Sequence, residues 1–343
     1  MSSVLHANSS SKGVHIQSWQ TILIFLAFVI TFIIFTAIKK IYYSIKYQKR
    51  FYIIPRVSVK GISSIGMVIS ISVSIILLIT IVSANAASII FRAWPGTRVT
   101  LEGILIKIGG LLFGPILGIF IGAMTDLLSV ALTAGVFHHG YLIASMAFGL
   151  IGGLIRTILT TSKKRDITFA IYSSITTVLI GAAVCLFLYF APGVSEEGFN
   201  LQLFNNDIKI SAEIMVGMMA GFFGFSIVIV WLCLLIKHIN EKINKRNKLP
   251  NKKQSWFIVF APVLVTILLT EAIVNVIMLP SFDVELTSLN YTQWLSIRAL
   301  MFAPMIVVNL MIIYPIFKIV VPLIRYDYED DVVEDKNVPL VVD

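Results

Sequence analysis

Apolar runs of about twenty residues recur along the chain and are separated by short polar linkers. A hydrocarbon core needs roughly 20 residues of helix per crossing, so most of these runs are long enough to span a membrane. Of the 343 residues, 57% are hydrophobic and 13% are charged, whereas soluble domains carry about 25% charged residues. The sequence therefore predicts an all-α polytopic membrane protein with about nine transmembrane helices. The predicted spans are 18–38, 62–90, 100–113, 115–134, 140–160, 168–190, 212–237, 256–280 and 292–322.

The distribution of Lys and Arg predicts the orientation of these helices, because basic residues collect on the cytoplasmic side of membrane proteins. Three basic clusters, at 39–56, 156–165 and 237–253, fall on one side only if 100–113 and 115–134 are separate crossings. The N-terminus is then outside and the C-terminus cytoplasmic, with the protein in the cell membrane. The clusters also account for the net charge of +9, which therefore does not indicate a nucleic-acid partner. The linkers assigned to the outside contain Glu196, Glu197, Asp207, Asp283 and Glu285.

Both ends of the chain are polar. Residues 1–17 lack a basic region and the first apolar run has membrane length, so we expect no cleavable signal peptide. The tail, 327–343, is acidic and is expected to be disordered.

The segment 109–128 is unusual for a membrane span. It contains a Gly114-Pro115 break, then Gly118 and Gly122 four residues apart, and finally the carboxylate Asp126. Glycines at this spacing allow helices to approach closely. We therefore expect a turn at the break, followed by a tightly packed helix that carries an acidic group.

Several ionisable residues lie within the predicted spans, at similar depths on the outer side. Such a group at membrane depth is a functional-site hypothesis by default. Arg98 and Glu102 are four residues apart and share a helix face, and the same holds for Glu271 and Asn275. These residues indicate a polar pocket that opens outward. Other residues predicted near this pocket are Asp126, Tyr141, Arg298 and the aromatic residues Trp94, Phe137 and Trp294.

The mixture of charges in this pocket fits an anionic organic ligand. Arginine forks bind carboxylates in bidentate fashion, and the aromatic residues could stack on a planar ring. The alternative is that the charges pair with one another and hold helices together. Lys107 lies deeper, on a different face from Glu102, and is expected to snorkel or to pair locally.

Small residues form a stripe along the second predicted span. Gly66, Ser70 and Ser74 are spaced four residues apart, which makes a flat helix face for close helix contact. The stripe is expected either to dock on another membrane subunit or to pack within this chain.

Motifs for the common catalytic chemistries are absent from the sequence. There is no phosphate-binding loop, nucleophile elbow or zinc-type spacing, so we expect no enzyme, cofactor or metal site. Cys185 and Cys233 lie in apolar spans and are expected to be buried hydrophobes. His138 and His139 are adjacent in a predicted outer loop and lack further nearby ligands in the sequence.

Two stretches, 57–160 and 256–325, carry motifs that resemble those of a known family. The first contains Gly110-Leu-Leu-Phe113-Gly114-Pro115, followed by Asp126-Leu-Leu and then Gly135, His139-Gly140-Tyr141 and Gly149-Leu-Ile-Gly-Gly. The second contains Ile-Val-Asn275-Val-Ile-Met-Leu and Arg298, followed by Ala303-Pro304 and Tyr314. Together they resemble the substrate-binding S components of energy-coupling factor (ECF) vitamin transporters, and the second stretch resembles the folate-specific branch.

The resemblance implies a six-helix S-component core with about three extra helices, at 18–38, 168–190 and 212–237. The expected divisions are an N-terminal extra helix with a basic linker (1–56), core helices one to four (57–160), an inserted helix pair with a basic cytoplasmic linker (161–254), core helices five and six (255–325), and an acidic cytoplasmic tail (326–343).

The resemblance also implies a function. An S component binds a vitamin outside the cell, docks on a transmembrane T component, and releases the vitamin inward while two ATPase subunits drive the cycle. For this chain the implied ligand is folate-like, and the chain itself is not an enzyme. The implied substrate-binding residues are Arg98, Glu102, Asp126, Tyr141, Asn275 and Arg298. The implied docking residues are Gly66, Ser70 and Ser74.

Two departures from the family pattern concern the identity of the vitamin. His138-His139 stands where Pro-Gly is expected, and Asn275 is followed by Val rather than Thr. One alternative is an S component for another vitamin such as riboflavin. A second is a stand-alone, proton-coupled secondary transporter that uses Glu102, Asp126 or Glu271, although no repeat relates two halves of the chain. A third is a membrane scaffold without a small ligand.

Overall fold

A computed structural model describes residues 49–51, 59–82, 96–133, 137–160, 165–190, 199–203, 206–246, 256–287, 289–323 and 333–335, together with six positions between 30 and 41. In chain order its elements are β1 (Lys49–Phe51), α1 (Val59–Val82), α2 (Gly96–Phe113), α3 (Pro115–Thr133), α4 (His139–Thr160), α5 (Arg165–Phe190), β2 (Phe199–Leu203), β3 (Asn206–Ile210), α6 (Ala212–Arg246), α7 (Trp256–Thr270), a π-helical segment (Glu271–Met278), α8 (Leu279–Leu286), α9 (Tyr291–Leu323) and β4 (Val333–Asp335).

Seven helical stretches of the described chain are long and apolar enough to cross a membrane. This confirms the prediction of a polytopic all-α membrane protein. The predicted span 18–38 lies largely outside the described residues, although four described positions within it and two just after it are helical. Residues 83–90, at the end of the second predicted span, also lie outside them. The seven stretches are Gly61–Val82, Pro115–Thr133, His139–Ile158, Asp166–Phe190, Glu213–Ile243, Val259–Leu286 and Tyr291–Ile319.

The central helix of the bundle is α2, which is not one of these seven because it carries Arg98, Glu102 and Lys107. Its side chains from Arg98 to Leu112 are buried on every face, apart from the half-buried Leu101. Its neighbours are α1, α3, α4, α7 and α9. A helix of 18 residues is about 27 Å long, close to the thickness of a hydrocarbon core.

The chain reverses direction between α2 and α3 at a single residue, Gly114. Its φ of +91° is a conformation that L side chains rarely adopt, and Pro115 begins α3, where its missing N–H has no cost. Gly110 and Gly118, four residues to either side, then meet: a Cβ on Gly118 would lie 3.0 Å from the Gly110 Cα. The turn predicted at Gly114-Pro115 is therefore confirmed.

Helices α3 and α4 pack with their backbones in contact. A Cβ on Gly118 would lie 2.3 Å from the Gly149 carbonyl oxygen, and one on Gly122 would lie 2.3 Å from the Ser145 carbonyl oxygen. These separations are far below a van der Waals contact, so the predicted packing role of the glycines is confirmed.

The segment from α7 to α8 forms a second buried element beside α2. Its middle section is π-helical, and the Leu279 N–H donates to the Val274 carbonyl five residues earlier. Single π turns inside α-helices occur frequently at functional sites. This segment contains Glu271 and Asn275, which the sequence had placed on one helix face.

The remaining helices lie on two different sides of this core. Helix α1 packs on α2 and α3, whereas α5 and α6 pack on each other and on α4, α7 and α9. The pair α5–α6 corresponds to the predicted insertion at 161–254. The predicted extra pair therefore does not extend the surface of α1.

Two pairs of short strands accompany the helices. β2 and β3 form an antiparallel hairpin beside α9, between α5 and α6. β1 pairs antiparallel with β4, which aligns Lys49 with Asp335 and Arg50 with Glu334. The acidic tail, expected to be disordered, thus contributes one short strand.

Candidate functional site

A network of buried charged and polar side chains begins at one end of the bundle, near the α3–α4 and α8–α9 connections, and extends to Lys107 in the second half of α2. We call this end the site end. The network includes three cations and four carboxylates, all less than 5% exposed and contributed by α2, α3, the π segment, α8 and α9. These residues are Arg98, Glu102, Lys107, Asp126, Glu271, Asp283 and Arg298.

The first part of the network joins α2 to α3. Arg98 donates from Nη2 to Asp126 Oδ1 at 2.8 Å, and its Nε lies 3.4 Å from Glu102 Oε1, one helical turn along α2. Asp126 therefore holds a predicted ligand-binding arginine in place. The Ser129 hydroxyl and the Asp126 carboxyl both face Glu102.

The second part of the network is centred on Arg298 of α9. Arg298 donates from Nε to Asp283 Oδ2 at 2.7 Å and from Nη1 to Asn275 Oδ1. Its Nη2 lies 2.6 Å from the same Asp283 oxygen but outside hydrogen-bonding geometry, so Nε makes the directional contact. Tyr141 donates its hydroxyl to Asp283 Oδ1 at 2.6 Å, and Trp294 lies 5.9 Å from the guanidinium carbon. One arginine thereby ties together α4, the π segment, α8 and α9.

The third part of the network lies around Lys107 of α2. Its ammonium donates to Glu271 Oε1 at 2.6 Å and to Asn309 Oδ1 at 3.0 Å, and it lies 4.7 Å from the centre of the Phe148 ring. Asn275 Nδ2 donates to Glu271 Oε2 at 2.6 Å. Because Asn275 also contacts Arg298, the second and third parts form one continuous chain of hydrogen bonds.

A histidine stands beside the Arg298 part of the network at the site end. His138 Nδ1 accepts the Gly140 N–H at 3.2 Å, and its Nε2 contacts Glu285 Oε2 at 2.8 Å. Burial lowers the pKa of His138 more than the Glu285 carboxylate raises it. The neutral ring then carries its proton on Nε2 and donates to Glu285, which links the start of α4 to the end of α8.

The same residues come close to a metal-binding geometry. His138, His139 and Glu285 bring three ligand atoms within 4.8 Å of one another. A metal needs a ring nitrogen with a free lone pair, but in His138 one nitrogen accepts from Gly140 and the other carries the proton. This arrangement favours a hydrogen-bonded link between helices over a metal centre.

The six residues predicted to bind substrate come together, and several of them pair with one another. Arg98, Glu102 and Asp126 form one part of the network, while Tyr141, Asn275 and Arg298 meet around Asp283. The predicted stacking residue Trp294 is buried and donates to Thr287 Oγ1, whereas Phe137 is 53% exposed. Trp94 lies outside the described residues.

Two expectations about polar residues need correction, and one polar residue of the network was missed. Asp283, assigned to an outer linker, is fully buried in α8 and holds Arg298. Lys107 neither snorkels nor pairs locally, because its partners Glu271 and Asn309 come from distant helices. Asn309, a polar residue in an apolar span, was not singled out, although the rarity of such residues could have drawn attention to it.

Several buried polar atoms make no hydrogen bond within the described part of the chain. Buried polar groups in folded proteins are usually paired, so such a concentration requires an explanation. Most of these atoms belong to the α2–α3 part of the network and its surroundings. They are Arg98 Nη1, both carboxylate oxygens of Glu102, Asp126 Oδ2 and the hydroxyls of Thr125, Ser129 and Ser145.

The small-residue stripe faces away from the other described helices. Gly66, Ser70 and Ser74 are all exposed, and a Cβ on Gly66 would meet nothing within 4 Å. The alternative that the stripe packs within this chain therefore has no support among the described residues.

Comparison with known proteins gives one similarity. The chain is 30% identical over 319 residues to the "Uncharacterized protein MG098 homolog" of Mycoplasma pneumoniae. The match covers 82% of this chain and 65% of that protein, so the chain spans less than two thirds of its relative. No protein-family model and no solved structure matches the chain.

Proposed function

We propose that this chain is the substrate-binding membrane subunit of an ECF-type vitamin importer. The observation that carries the proposal is the assembly of Arg98, Asn275, Arg298 and Tyr141, from four separate elements, into one buried polar network at the site end. These are the residues to which the motif resemblance assigns substrate binding. The vitamin that best fits the motifs is folate.

The network has the chemistry to recognise an anionic, hydrogen-bonding organic molecule. Arg298 and Arg98 supply guanidinium forks, and Asn275 supplies an amide beside them. In the described conformation these donors are bound to internal carboxylates. A vitamin carboxylate would compete with Asp283 for Arg298, so we propose that binding rearranges the Arg298–Asp283 contact.

The stripe on α1 supports a partner of the T-component type. Its small residues are exposed, and α1 packs on α2 and α3, whereas α5 and α6 pack on α4, α7 and α9. Small residues permit close contact between helix backbones in lipid, which is how membrane helices associate. Two ATPase subunits would supply the energy, in keeping with the missing phosphate-binding loop.

The topology that we propose has nine crossings, with the N-terminus outside and the C-terminus cytoplasmic. The β1–β4 pairing supports this count, because β1 and β4 can pair only on the same side of the membrane. The number of crossings between them must therefore be even. The seven apolar stretches give an odd number, and counting α2 as a crossing gives an even one.

The direct test is vitamin binding by the purified full chain in detergent, without ATP or other subunits. We expect folate to bind and to change the tryptophan fluorescence, since Trp294 lies against Arg298. Arg298→Lys should keep the charge opposite Asp283 but lose the fork, which weakens binding about tenfold or more. The control is Lys237→Arg at the opposite end of the bundle, paired with Asp166, which should leave affinity unchanged.

The same preparation separates the competing functions. Binding of riboflavin but not folate would retain the class and correct the vitamin. Uptake into liposomes by this chain alone, driven by a pH gradient, would instead favour a secondary transporter. Failure to bind any vitamin, together with uptake in cells that is insensitive to Arg298→Lys, would contradict the proposal.

A further inference from the structure

Among the described residues, the buried network contains one more carboxylate than cation. Three carboxylates each have a cation of their own, and the pairs are Asp126–Arg98, Glu271–Lys107 and Asp283–Arg298. Glu102 has only a share of Arg98, at 3.4 Å from its Nε. Neither Glu102 oxygen makes a hydrogen bond within the described residues.

An ionised Glu102 with no cation of its own would destabilise the folded protein. The Glu102 side chain has no solvent exposure and lies on the buried central helix. A buried carboxylate without its own partner loses its hydration without adequate compensation. A positive charge of some kind must therefore accompany Glu102.

The described groups that face Glu102 do not supply that charge. On α2 its neighbour is Arg98, which is already committed to Asp126. On α3 the facing groups are Asp126, which adds negative charge, and the neutral Ser129 hydroxyl. On α4, Tyr141 supplies no positive charge, and its hydroxyl donates to Asp283.

The helix packing beside this pair of carboxyl groups is tight. One turn from Asp126, α3 touches α4 so closely that a Cβ on Gly122 would lie 2.3 Å from the Ser145 carbonyl oxygen. Arg98 would also repel a metal ion placed among these oxygens. A proton requires no cavity and neutralises a carboxylate at the oxygen itself.

We propose that Glu102 and Asp126 form a proton-binding site in which the two carboxyl groups share one proton beside Arg98. The proton bonds to one carboxylate oxygen and comes from water, so that the pair carries a single negative charge opposite a single guanidinium. Two carboxylates that share a site commonly hold one proton between them. The unpaired oxygens of both side chains are the atoms between which it would lie. This inference does not depend on vitamin binding.

Infrared spectroscopy of the purified full chain at neutral pH tests the proposal. We expect the carbonyl stretch of a protonated carboxyl group, shifted by exchange into heavy water. Glu102→Gln should abolish the band. Asp126→Asn should also abolish it, because Glu102 then becomes the only carboxylate opposite Arg98 and ionises. The control, Glu213→Gln at the exposed start of α6, should leave the band unchanged.

Thermal unfolding gives a second readout that keeps the test decisive. Glu102→Gln and Asp126→Asn each leave one carboxylate for Arg98, so their Tm should stay close to that of the wild-type chain. Glu271→Gln leaves Lys107 without its carboxylate, so its Tm should fall clearly. The proposal is overturned if the wild-type band is missing, if it survives Glu102→Gln, if it disappears on adding Na⁺, or if Glu102→Gln lowers the Tm as much as Glu271→Gln does.

Discussion

At the residue scale, this protein buries both partners of several ion pairs in its interior, where membrane proteins normally have apolar side chains. Lys107 has no exposed surface, yet it contacts a carboxylate, an amide and an aromatic ring. A buried pair is only weakly stabilising compared with apolar residues of the same size, but the loss of one partner is strongly destabilising. Buried pairs of this kind therefore point to a role in specificity or function rather than in stability.

The pairing of Lys107 with Glu271 can be tested by a double-mutant cycle. Lys107→Met leaves Glu271 buried and unpaired, so we expect the free energy of unfolding in detergent to fall by about 3–5 kcal/mol. The double variant Lys107→Met, Glu271→Leu should recover much of that loss, because neither charge remains. The control is Lys237→Met, whose partner Asp166 is 30% exposed and whose loss should cost about 0–1 kcal/mol. Simple additivity of the two single variants would contradict the pairing.

His138 should make stability depend on pH. Its pKa in the folded protein is below the ordinary value, mainly through burial, so folding favours the neutral ring. That contribution is fully present above about pH 6.5 and is lost as the pH falls below it, because the unfolded chain gains the proton first. Acidification should therefore lower the Tm of the wild-type chain more than that of His138→Gln. The exposed His238 on α6 offers the control: His238→Gln should retain the wild-type pH dependence of the Tm.

At the element scale, glycine sets the spacing of helices and the π segment sets the direction of side chains. Gly114 reverses the chain, and Gly118 and Gly149 bring α3 and α4 into backbone contact. That contact places Asp126 of α3 beside the central helix, where Arg98 binds it. In the π segment, the altered helical repeat lets Asn275 reach both Glu271 and Arg298.

Substitution of a contact glycine should destabilise the bundle. Gly118→Ala places a methyl group 2.3 Å from the Gly149 oxygen, which must force the helices apart and should cost about 1–3 kcal/mol. Gly217→Ala on the exposed face of α6 is the matched control, since a Cβ there meets nothing within 4 Å. Its unfolding free energy should equal or exceed that of the wild-type chain, because alanine is the better helix former. If the two variants lost the same free energy of unfolding, the close α3–α4 contact would not be the cause of the loss.

At the scale of the whole molecule, the bundle separates a core from two unlike sides. Helices α2 and α7–α8 are enclosed, α1 presents its small-residue stripe on one side, and α5 and α6 cover another. A docking surface on α1 would therefore be independent of the inserted pair. The inserted pair buries residues against α7 and α9, which indicates a stabilising role for it.

Blocking the stripe should separate docking from ligand binding. Ser70→Trp adds a large side chain to the exposed face of α1, far from the contacts of Arg298. If the stripe docks on a T component, we expect copurification with partner subunits and vitamin uptake to be lost, while vitamin binding by the isolated chain persists. Val228→Trp on α6, also exposed, should leave all three properties intact. Equal effects of the two substitutions would argue against a docking role specific to α1.

The sequence by itself determined the features that depend on local periodicity and length. Apolar runs of membrane length predict the spans, Gly114-Pro115 predicts the turn, and residues four apart, such as Arg98 and Glu102, share a helix face. These properties follow from the repeat of the α-helix and the thickness of the bilayer, so no knowledge of neighbouring helices is required.

Only the tertiary structure decided which charges meet. Lys107 binds Glu271 and Asn309, which lie 164 and 202 residues further along the chain, so their contact depends on how distant helices are rotated against one another. The burial of Asp283 likewise depends on the continuation of the π segment into α8. From the sequence alone, Asp283 was assigned to a linker. The surplus negative charge at Glu102 likewise follows from tertiary contacts, because the other three carboxylates of the network each pair with a cation from a distant part of the chain or from a neighbouring helix. Charge pairing is a property of the packed bundle, because an unpaired charge is strongly destabilising in its low-dielectric interior.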